Sequence, residues 1–579
     1  MARTAARPRG RHAPAGARAS GAGDTALLAV FFAAALALHA GLLRLPYFWD
    51  EAGYFIPAAR DLLLSGSVVP QSTLNNIHPP LVSAWLALCW KLAGYHVVVT
   101  RVAMLFVAAF ALLGIYRLAR LLANREVAIA AAALTALFPV FFAQSTLANL
   151  DLAAAAFTLW GIERHLAGRA WPAADYFSLA VLAKETALLA PLGIFAWEAF
   201  CRLLGGRRPA LRTLVTPRPG RDLAVLLFPL LPLAAWIGYH YALTGWLLGN
   251  PEFVRYNVEG TLSATRFLLA LAQRLWHLFG HMGMLALTLA AAVAMLFAPV
   301  AESDGSPRRR IPAAAQAVLM AVIAAYLLAL SVVGGALLPR YLLPVYPLVI
   351  LLAVATLRRR IREWPWLVVA IGAIFVAAWF WRPPYHFAPE DNLAYADFVR
   401  LQQGGAQALA QKYPHATVLT AWPASDELTR PWLGYVAQPL RVVRLENFTL
   451  DNVTAAQHAT VPFDVVFAFA TKYQPARNLA GPRWWQAAQS RYFDYHRDLP
   501  PEAITHMLGG KITWLERRDG LWAAVIEIPQ SRLAKISPKP NQQDRGKREA
   551  SEAVAVPGRE AWGWAAADWA RSRAWGSRR

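Results

Sequence analysis

Residues 47–66 read YFWDEAGYFIPAARDLLLSG, with the adjacent carboxylates Asp50 and Glu51 where a long apolar run ends. A carboxylate at a lipid boundary is costly to desolvate, so an acid there is usually paired or functional. Charges recur at other span ends: Asp151 in STLANLDLAAAAF, Lys184 beside Glu185 in VLAKETALL, and Arg340 beside Tyr341 in LLPRYLLPVYP. Singly, each is also explained as a snorkelling side chain or a helix cap. Together they supply carboxylates, which can take up a proton, and cations, which can hold an anion, at one membrane depth.

The elements that must position these groups are membrane helices. The chain has 579 residues, of which 57% are hydrophobic and 16% charged, with a mean hydropathy of +0.34. That composition excludes a single soluble globule and implies a mostly α, polytopic membrane protein. The net charge of +22 would suit nucleic acid, but the arginines sit in short clusters between apolar runs and in the two tails. This is the distribution of a positive-inside membrane protein, so nucleic acid is not expected as a partner. Cys89 and Cys201 lie in apolar surroundings without metal-type spacing, so neither a disulfide framework nor a zinc site is expected.

Apolar runs long enough to cross about 30 Å of hydrocarbon, oriented by Arg and Lys, give the topology. Residues 1–24 form a basic N-terminus expected to be disordered and cytoplasmic. The first span, 25–45, lacks a small-residue cleavage site and is retained, delivering Asp50 and Glu51 to the outer side. Further spans fall at 98–122, 127–143 and 150–166, then as a tight pair within 176–200, and near 222–243, 278–298, 312–335, 341–357 and 365–381. These make about 11 crossings and place every strong arginine cluster between spans on the cytoplasmic side. The segment HPPLVSAWLALCWKLAG (78–94) is apolar but short, and a crossing there would invert all that follows. It reads as an interfacial helix, the second of two in the first outer loop, which can thus wall a cavity open to lipid and water.

After Trp381 the composition turns ordinary. β-type runs at 416–422, 441–445 and 463–470 alternate with helical patterns near 391–412 and 502–508, and KITWLERRDGLWAAVIEI turns as a hairpin at Asp519-Gly520. A small α/β extracytoplasmic C-terminal domain, residues 384–530, is expected, followed by a disordered basic tail at 531–579.

The ordered series FWDEAGYFIPAARDLL, NNIHPPL, an Asp opening the fourth span, LAKET and PRYLLPVYPL resembles the GT-C membrane glycosyltransferases that use polyprenyl-phosphate sugars. Dolichyl-phosphate-mannose protein mannosyltransferases and the bacterial aminoarabinose transferase of lipid A are the nearest in pattern. The resemblance covers residues 25–381, which it assigns to a GT-C transmembrane glycosyltransferase domain. It implies that Asp50 is the catalytic carboxylate, with Glu51 its companion and Asp151 the acid of the second loop. It places Lys184, Arg340 and Tyr341 against the lipid phosphate, gives His78 a structural or binding role, and makes Glu259 and Arg266 candidates in a further outer interfacial helix.

The implied reaction suits these residue types. An acceptor oxygen or nitrogen attacks the anomeric carbon as a phosphate departs, so a carboxylate must take the acceptor proton, and Asp50 is the choice. The leaving group is a stabilised anion, for which cations and hydroxyls suffice, and single displacement inverts the anomeric configuration. No cofactor is required; a divalent metal among Asp50, Glu51, Asp151 and His78 is conceivable, but no compact ligand spacing is present. The glycine-containing GAGDTALLAV has no preceding strand, so no nucleotide cradle is expected and the sugar arrives on lipid. The expected partners are a polyprenyl-phosphate-linked sugar donor, membrane lipid, and a glycolipid, glycan or protein acceptor, in a bacterial inner membrane. The alternative is a polytopic transporter or flippase for a lipid-linked substrate, which would place its charges near the midplane in two matching halves.

Overall fold

The computed structural model describes residues 21–205, 208–215, 220–257, 263–333, 335–458, 461–475, 483–493 and 495–529. Described residues up to Pro529 belong to one compact unit. It is mostly helical, with one small sheet near its C-terminal end.

The helices run α1 (Gly21–Leu38), α2 (Ile56–Ser65), α3 (Leu81–Ala93), α4 (Val97–Leu122), α5 (Arg125–Leu137), α6 (Pro139–Gln144), α7 (Leu150–Leu166), α8 (Ala170–Ala183) and α9 (Leu189–Leu204). After short pieces α10 (Pro209–Arg212) and α11 (Gly220–Ala224) come α12 (Leu230–Thr244), α13 (Pro251–Asn257), α14 (Ala264–Phe279), α15 (Met284–Ala294), α16 (Ala313–Val332), α17 (Tyr346–Arg360) and α18 (Trp364–Phe380). Among the described residues four helices are long and apolar enough to cross a membrane: Val97–Leu122, Glu185–Leu204, Asp222–Thr244 and Ala313–Val332. The pair α14 and α15, bent by 41°, adds a fifth, and Gly23–Leu38, Leu81–Ala93 and Trp364–Phe380 are shorter apolar helices.

Local chemistry sets the breaks. The Asn124 side chain accepts from the Val127 N–H (3.0 Å) and starts α5, and Pro139, which lacks an N–H, divides α5 from α6. The predicted pair within 176–200 forms as α8 and α9, parted at Lys184, which takes an extended backbone. Both helices foreseen in the first loop form, as α2 and α3, and pack on each other. The region before 278 departs from expectation: α14 already runs from Ala264 and meets α15 at a bend holding Met282 (φ 50°) and Gly283 (φ 87°). Its buried face carries Arg266, Arg274 and His277, so a search for apolar runs passes over it.

α7 packs on α4 and α8. Its LDLAAAAF run lets these helices approach closely, and a Cβ at Gly161 would lie 2.6 Å from the Phe177 ring. Small residues do this work between membrane helices because lipid gives them no hydrophobic drive to associate.

After α18 the chain forms α19 (Ala394–Lys412) and a five-stranded sheet, with α20 (Ala424–Thr429), α21 (Leu450–Gln457), α22 (Arg483–Tyr492) and α23 (Pro501–Leu508) between strands. The strands are β1 (Thr417–Ala421), β2 (Arg441–Leu445), β3 (Val465–Phe469), β4 (Lys511–Arg518) and β5 (Leu521–Glu527), ordered β2-β1-β3-β5-β4. β1 pairs in parallel with β2 and β3, while β5 is antiparallel to β3 and β4. The predicted runs and hairpin are all present. Asp519 (φ 38°) and Gly520 (φ 86°) both occupy the left-handed region that a tight two-residue hairpin demands.

α19 lies on this sheet, where a Cβ at Gly405 would collide with the Phe467 ring. Overpacking of this kind typically costs about 1–3 kcal/mol. Gly405→Ala is therefore expected to lower the thermal unfolding midpoint of detergent-solubilised protein, whereas Gly41→Ala, with open space around it, is not.

Candidate active site

Asp50 and Glu51 are neighbours with different fates. The chain leaves α1, passes Pro46–Trp49 and enters a π-helical turn, Glu51–Phe55, that runs into α2. Glu51 is fully buried and paired with Arg101 of α4, and it also accepts the backbone N–H groups of Phe48 (2.8 Å) and Ala148 (2.6 Å). The same guanidinium donates to the carbonyls of Thr146 (2.7 Å), Pro46 (2.8 Å) and Leu45 (3.2 Å). With its oxygens occupied, Glu51 fastens the turn to α4 and to the chain just before α7. Asp50, partly exposed, is ion-paired to Arg340 instead.

Arg340 is the hub. It stands on a 3-10 turn, Pro339–Leu342, set by the proline that opens it, and is buried. Besides Asp50 it meets Glu390 at 2.6 Å and Asp151 at 3.5 Å. Asp151 lies in the first turn of α7, where the helix dipole favours an anion. Its other oxygen accepts from the Lys184 Nζ at 2.7 Å. Lys184 reaches this point because it occupies the break between α8 and α9, and its Nζ lies 4.1 Å from the centre of the Tyr341 ring.

Tyr341 is ringed by cations, since the Arg274 and Arg340 guanidinium carbons lie 5.7 Å and 5.6 Å from the same ring. Arg274 is buried on α14 and donates to the Leu338 carbonyl (3.3 Å), while its Nε has no hydrogen-bond partner among the described residues. Among the described residues no carboxylate forms an ion pair with it.

The remaining predicted residues sit around this cluster. His78 Nδ1 meets the Glu185 carboxylate at 2.9 Å, tying the first loop to the residue after Lys184, and its ring stands edge-on to Phe253. Arg266 faces carbonyls rather than the cluster: Val333 (2.9 Å), Gly335 (2.8 Å) and Tyr492 (3.3 Å). Glu259 lies outside the described residues. Asp50, Asp151, Lys184, Arg340 and Tyr341 are thus brought together, His78 is one residue removed, and Glu51 and Arg266 are held by structural partners. Among the described residues no three His, Cys, Asp or Glu side chains are grouped to hold a metal ion.

Sequence reasoning missed Glu390 and Arg274. Glu390-Asp391 repeats the Asp50-Glu51 pattern, two adjacent acids just past an apolar helix, and again one enters the cluster while its neighbour is locked elsewhere. Asp391 meets His281 Nε2 at 3.0 Å, and His281 Nδ1 lies 3.0 Å from the Tyr385 hydroxyl. Arg274 is signalled only by its placement on α14 with Arg266 and His277, a buried polar face.

The family described as dolichyl-phosphate-mannose-protein mannosyltransferase matches residues 77–236, which bears out the GT-C resemblance carried by the motifs. Among solved structures the chain is similar to ArnT from Cupriavidus metallidurans in the apo state, at 16% identity over 89% of this chain and 99% of that one, TM-score 0.49. The same protein bound to undecaprenyl phosphate gives 14% identity, the same coverages and a TM-score of 0.48. The archaeal oligosaccharyltransferase AglB from Archaeoglobus fulgidus, in complex with an inhibitory peptide and a dolichol-phosphate, gives 11% identity over 86% of this chain and 74% of that one, TM-score 0.43. No curated protein matches the chain.

Burial pushes the Glu390 carboxyl up to about 8; the nearby Arg340 draws it down, but less, and Asp50 and Asp391 add to the rise. The folded protein then binds this proton more tightly than the unfolded chain, so its contribution is full below pH 4.5 and is lost as pH rises to about 8. The thermal midpoint is expected to fall between pH about 5 and about 8, and Glu390→Gln, scanned over that range, is expected to flatten the fall.

Proposed function

We propose that this chain is an integral-membrane glycosyltransferase that moves a sugar from a polyprenyl-phosphate donor to a glycolipid, glycan or protein acceptor at the outer face of a bacterial inner membrane. The N-terminus lies in the cytoplasm, about 11 crossings include Gly23–Leu38 and Trp364–Phe380 but not the interfacial Leu81–Ala93, and residues 384–530 form an extracytoplasmic domain. The observation that carries this reading is the meeting of Asp50 with Arg340, Asp151 and Lys184, beside a buried Arg274 that forms no ion pair with a carboxylate among the described residues. The match of residues 77–236 to a family named for dolichyl-phosphate-mannose supports a lipid-linked donor.

In the proposed reaction the lipid phosphate enters beside Tyr341, where Arg274 and Lys184 offer positive charge that the resident acids do not fully neutralise. The acceptor lone pair forms the new bond to the anomeric carbon, the bond from that carbon to the phosphate oxygen breaks, and the electron pair leaves with the polyprenyl phosphate. Attack from the side opposite the phosphate inverts the anomeric centre. Asp50 takes the acceptor proton; it stands at the partly exposed edge of the cluster, where an acceptor can approach. Arg340, shared among Asp50, Asp151 and Glu390, holds the Asp50 carboxylate in place. Charges already fixed in a buried site stabilise the departing anion with little reorganisation.

Sugar release from undecaprenyl-phosphate-linked hexoses and pentoses by purified protein in lipid nanodiscs tests the roles separately. Asp50→Asn is expected to lower kcat by about 10²-fold or more while leaving undecaprenyl phosphate binding intact. Arg274→Met is expected to weaken undecaprenyl phosphate binding about 10-fold or more, the usual worth of a hydrogen bond to a charged group. Undiminished transfer by Asp50→Asn would remove it as the base.

A further inference from the structure

The turn that carries Asp50 is held from two directions. Glu51 and Arg101 fix it to α4. From the other direction it meets aromatic side chains of the chain after α18. Trp49, immediately before Asp50, has φ 45°, a conformation that bulky L residues rarely adopt unless the surroundings impose it. Its ring packs edge-on against Phe398 of α19 (5.5 Å) and against Trp422 (5.1 Å), the residue that follows β1.

Trp422 touches the other end of the same turn. Tyr54 lies 5.7 Å from it, and a Cβ built at Gly53 would fall 2.5 Å from Trp422 Cζ2 and 2.7 Å from Nε1. The indole thus lies directly on the glycine backbone three residues beyond Asp50. Thr73 donates to the Gly53 carbonyl, and Tyr435 donates to the Tyr47 carbonyl at 2.9 Å. Trp422 therefore contacts the residue before Asp50 and two residues after it.

We infer that Trp422 is a positioning residue: delivered by β1 of the C-terminal sheet, it clamps the Trp49–Tyr54 turn and so sets the reach of the Asp50 carboxylate. The inference rests on the reading of Asp50 as the base. It makes the sheet a working part of the site. A displacement of about 1 Å at a reacting group can cost on the order of 10²-fold in rate, which is the scale of effect the clamp controls.

The test uses the full chain in nanodiscs with whichever undecaprenyl-phosphate-linked hexose or pentose gives the highest wild-type rate. Gly53→Ala is expected to lower kcat by about 10²-fold, with donor KM and undecaprenyl phosphate affinity near wild type. In a Trp422→Phe background, where the smaller ring leaves room for the methyl, Gly53→Ala is expected to cost no more than about threefold further, because contacting residues couple. Wild-type kcat in Gly53→Ala, or losses that multiply in the double variant, would overturn the clamp. Should Gly53→Ala fail to fold, Trp422→Leu carries the test, with a fall in kcat of about tenfold or more expected and an unchanged kcat overturning it. Asp50→Asn in the same assay separates the two ideas: if it is inactive while the Gly53 and Trp422 variants match wild type, only the clamp falls. If Asp50→Asn itself keeps full kcat, the reading of Asp50 falls first.

Discussion

One guanidinium organises this molecule. Arg340 is buried and meets carboxylates from three other stretches of chain: Asp50 after α1, Asp151 at the start of α7 and Glu390 after α18. Breaking a buried ion pair by removing one partner strands the other charge at a cost of about 3–5 kcal/mol. The four segments are therefore bound to converge. The convergence also explains why the chain after α18 belongs to the same compact unit as the helices before it. It contributes Glu390 to the cluster, Tyr395 to Thr146 (3.0 Å) and Trp432 to Tyr95 (3.0 Å).

The balance of charge around the hub matters as much as its geometry. Asp50, Asp151 and Glu390 stand against Arg340, Lys184 and Arg274, yet they crowd around Arg340, and the Glu390 carboxyl is pushed toward its protonated form. Arg274 faces the Tyr341 ring and, among the described residues, forms no ion pair with an acid. A buried cation in that state is costly unless something anionic comes to it. The fold holds it because α14 is pinned elsewhere: Arg266 is satisfied by three backbone carbonyls, and the bend at Met282 and Gly283 turns the chain into α15.

Much of this was legible in the sequence, and what escaped has a physical reason. Apolar length and arginine clusters located most helices of the bundle, and alternation with turn chemistry located the sheet and its Asp519-Gly520 hairpin, because these signals are local. The series Asp50, Asp151, Lys184, Arg340 and Tyr341 was found because each is a charge or a polar ring at the end of an apolar run. α14 escaped because its polar residues are buried against the site, so its composition resembles a loop to a hydropathy window. The burial of Glu51 was not legible because its partner, Arg101, lies 50 residues away inside an apolar helix. The destination of each member of a paired acid, Asp50 against Glu51 and Glu390 against Asp391, depends on tertiary partners that spacing alone does not reveal.

The most direct test of the central claim is a cryo-electron microscopy structure of the full chain in lipid nanodiscs saturated with undecaprenyl phosphate. The account predicts the phosphate beside Tyr341, within about 4 Å of the Arg274 and Lys184 nitrogens, with Asp50 facing the same cavity and the prenyl chain running into lipid. A phosphate bound elsewhere, with Arg274 and Lys184 left as they are in the free protein, would contradict it.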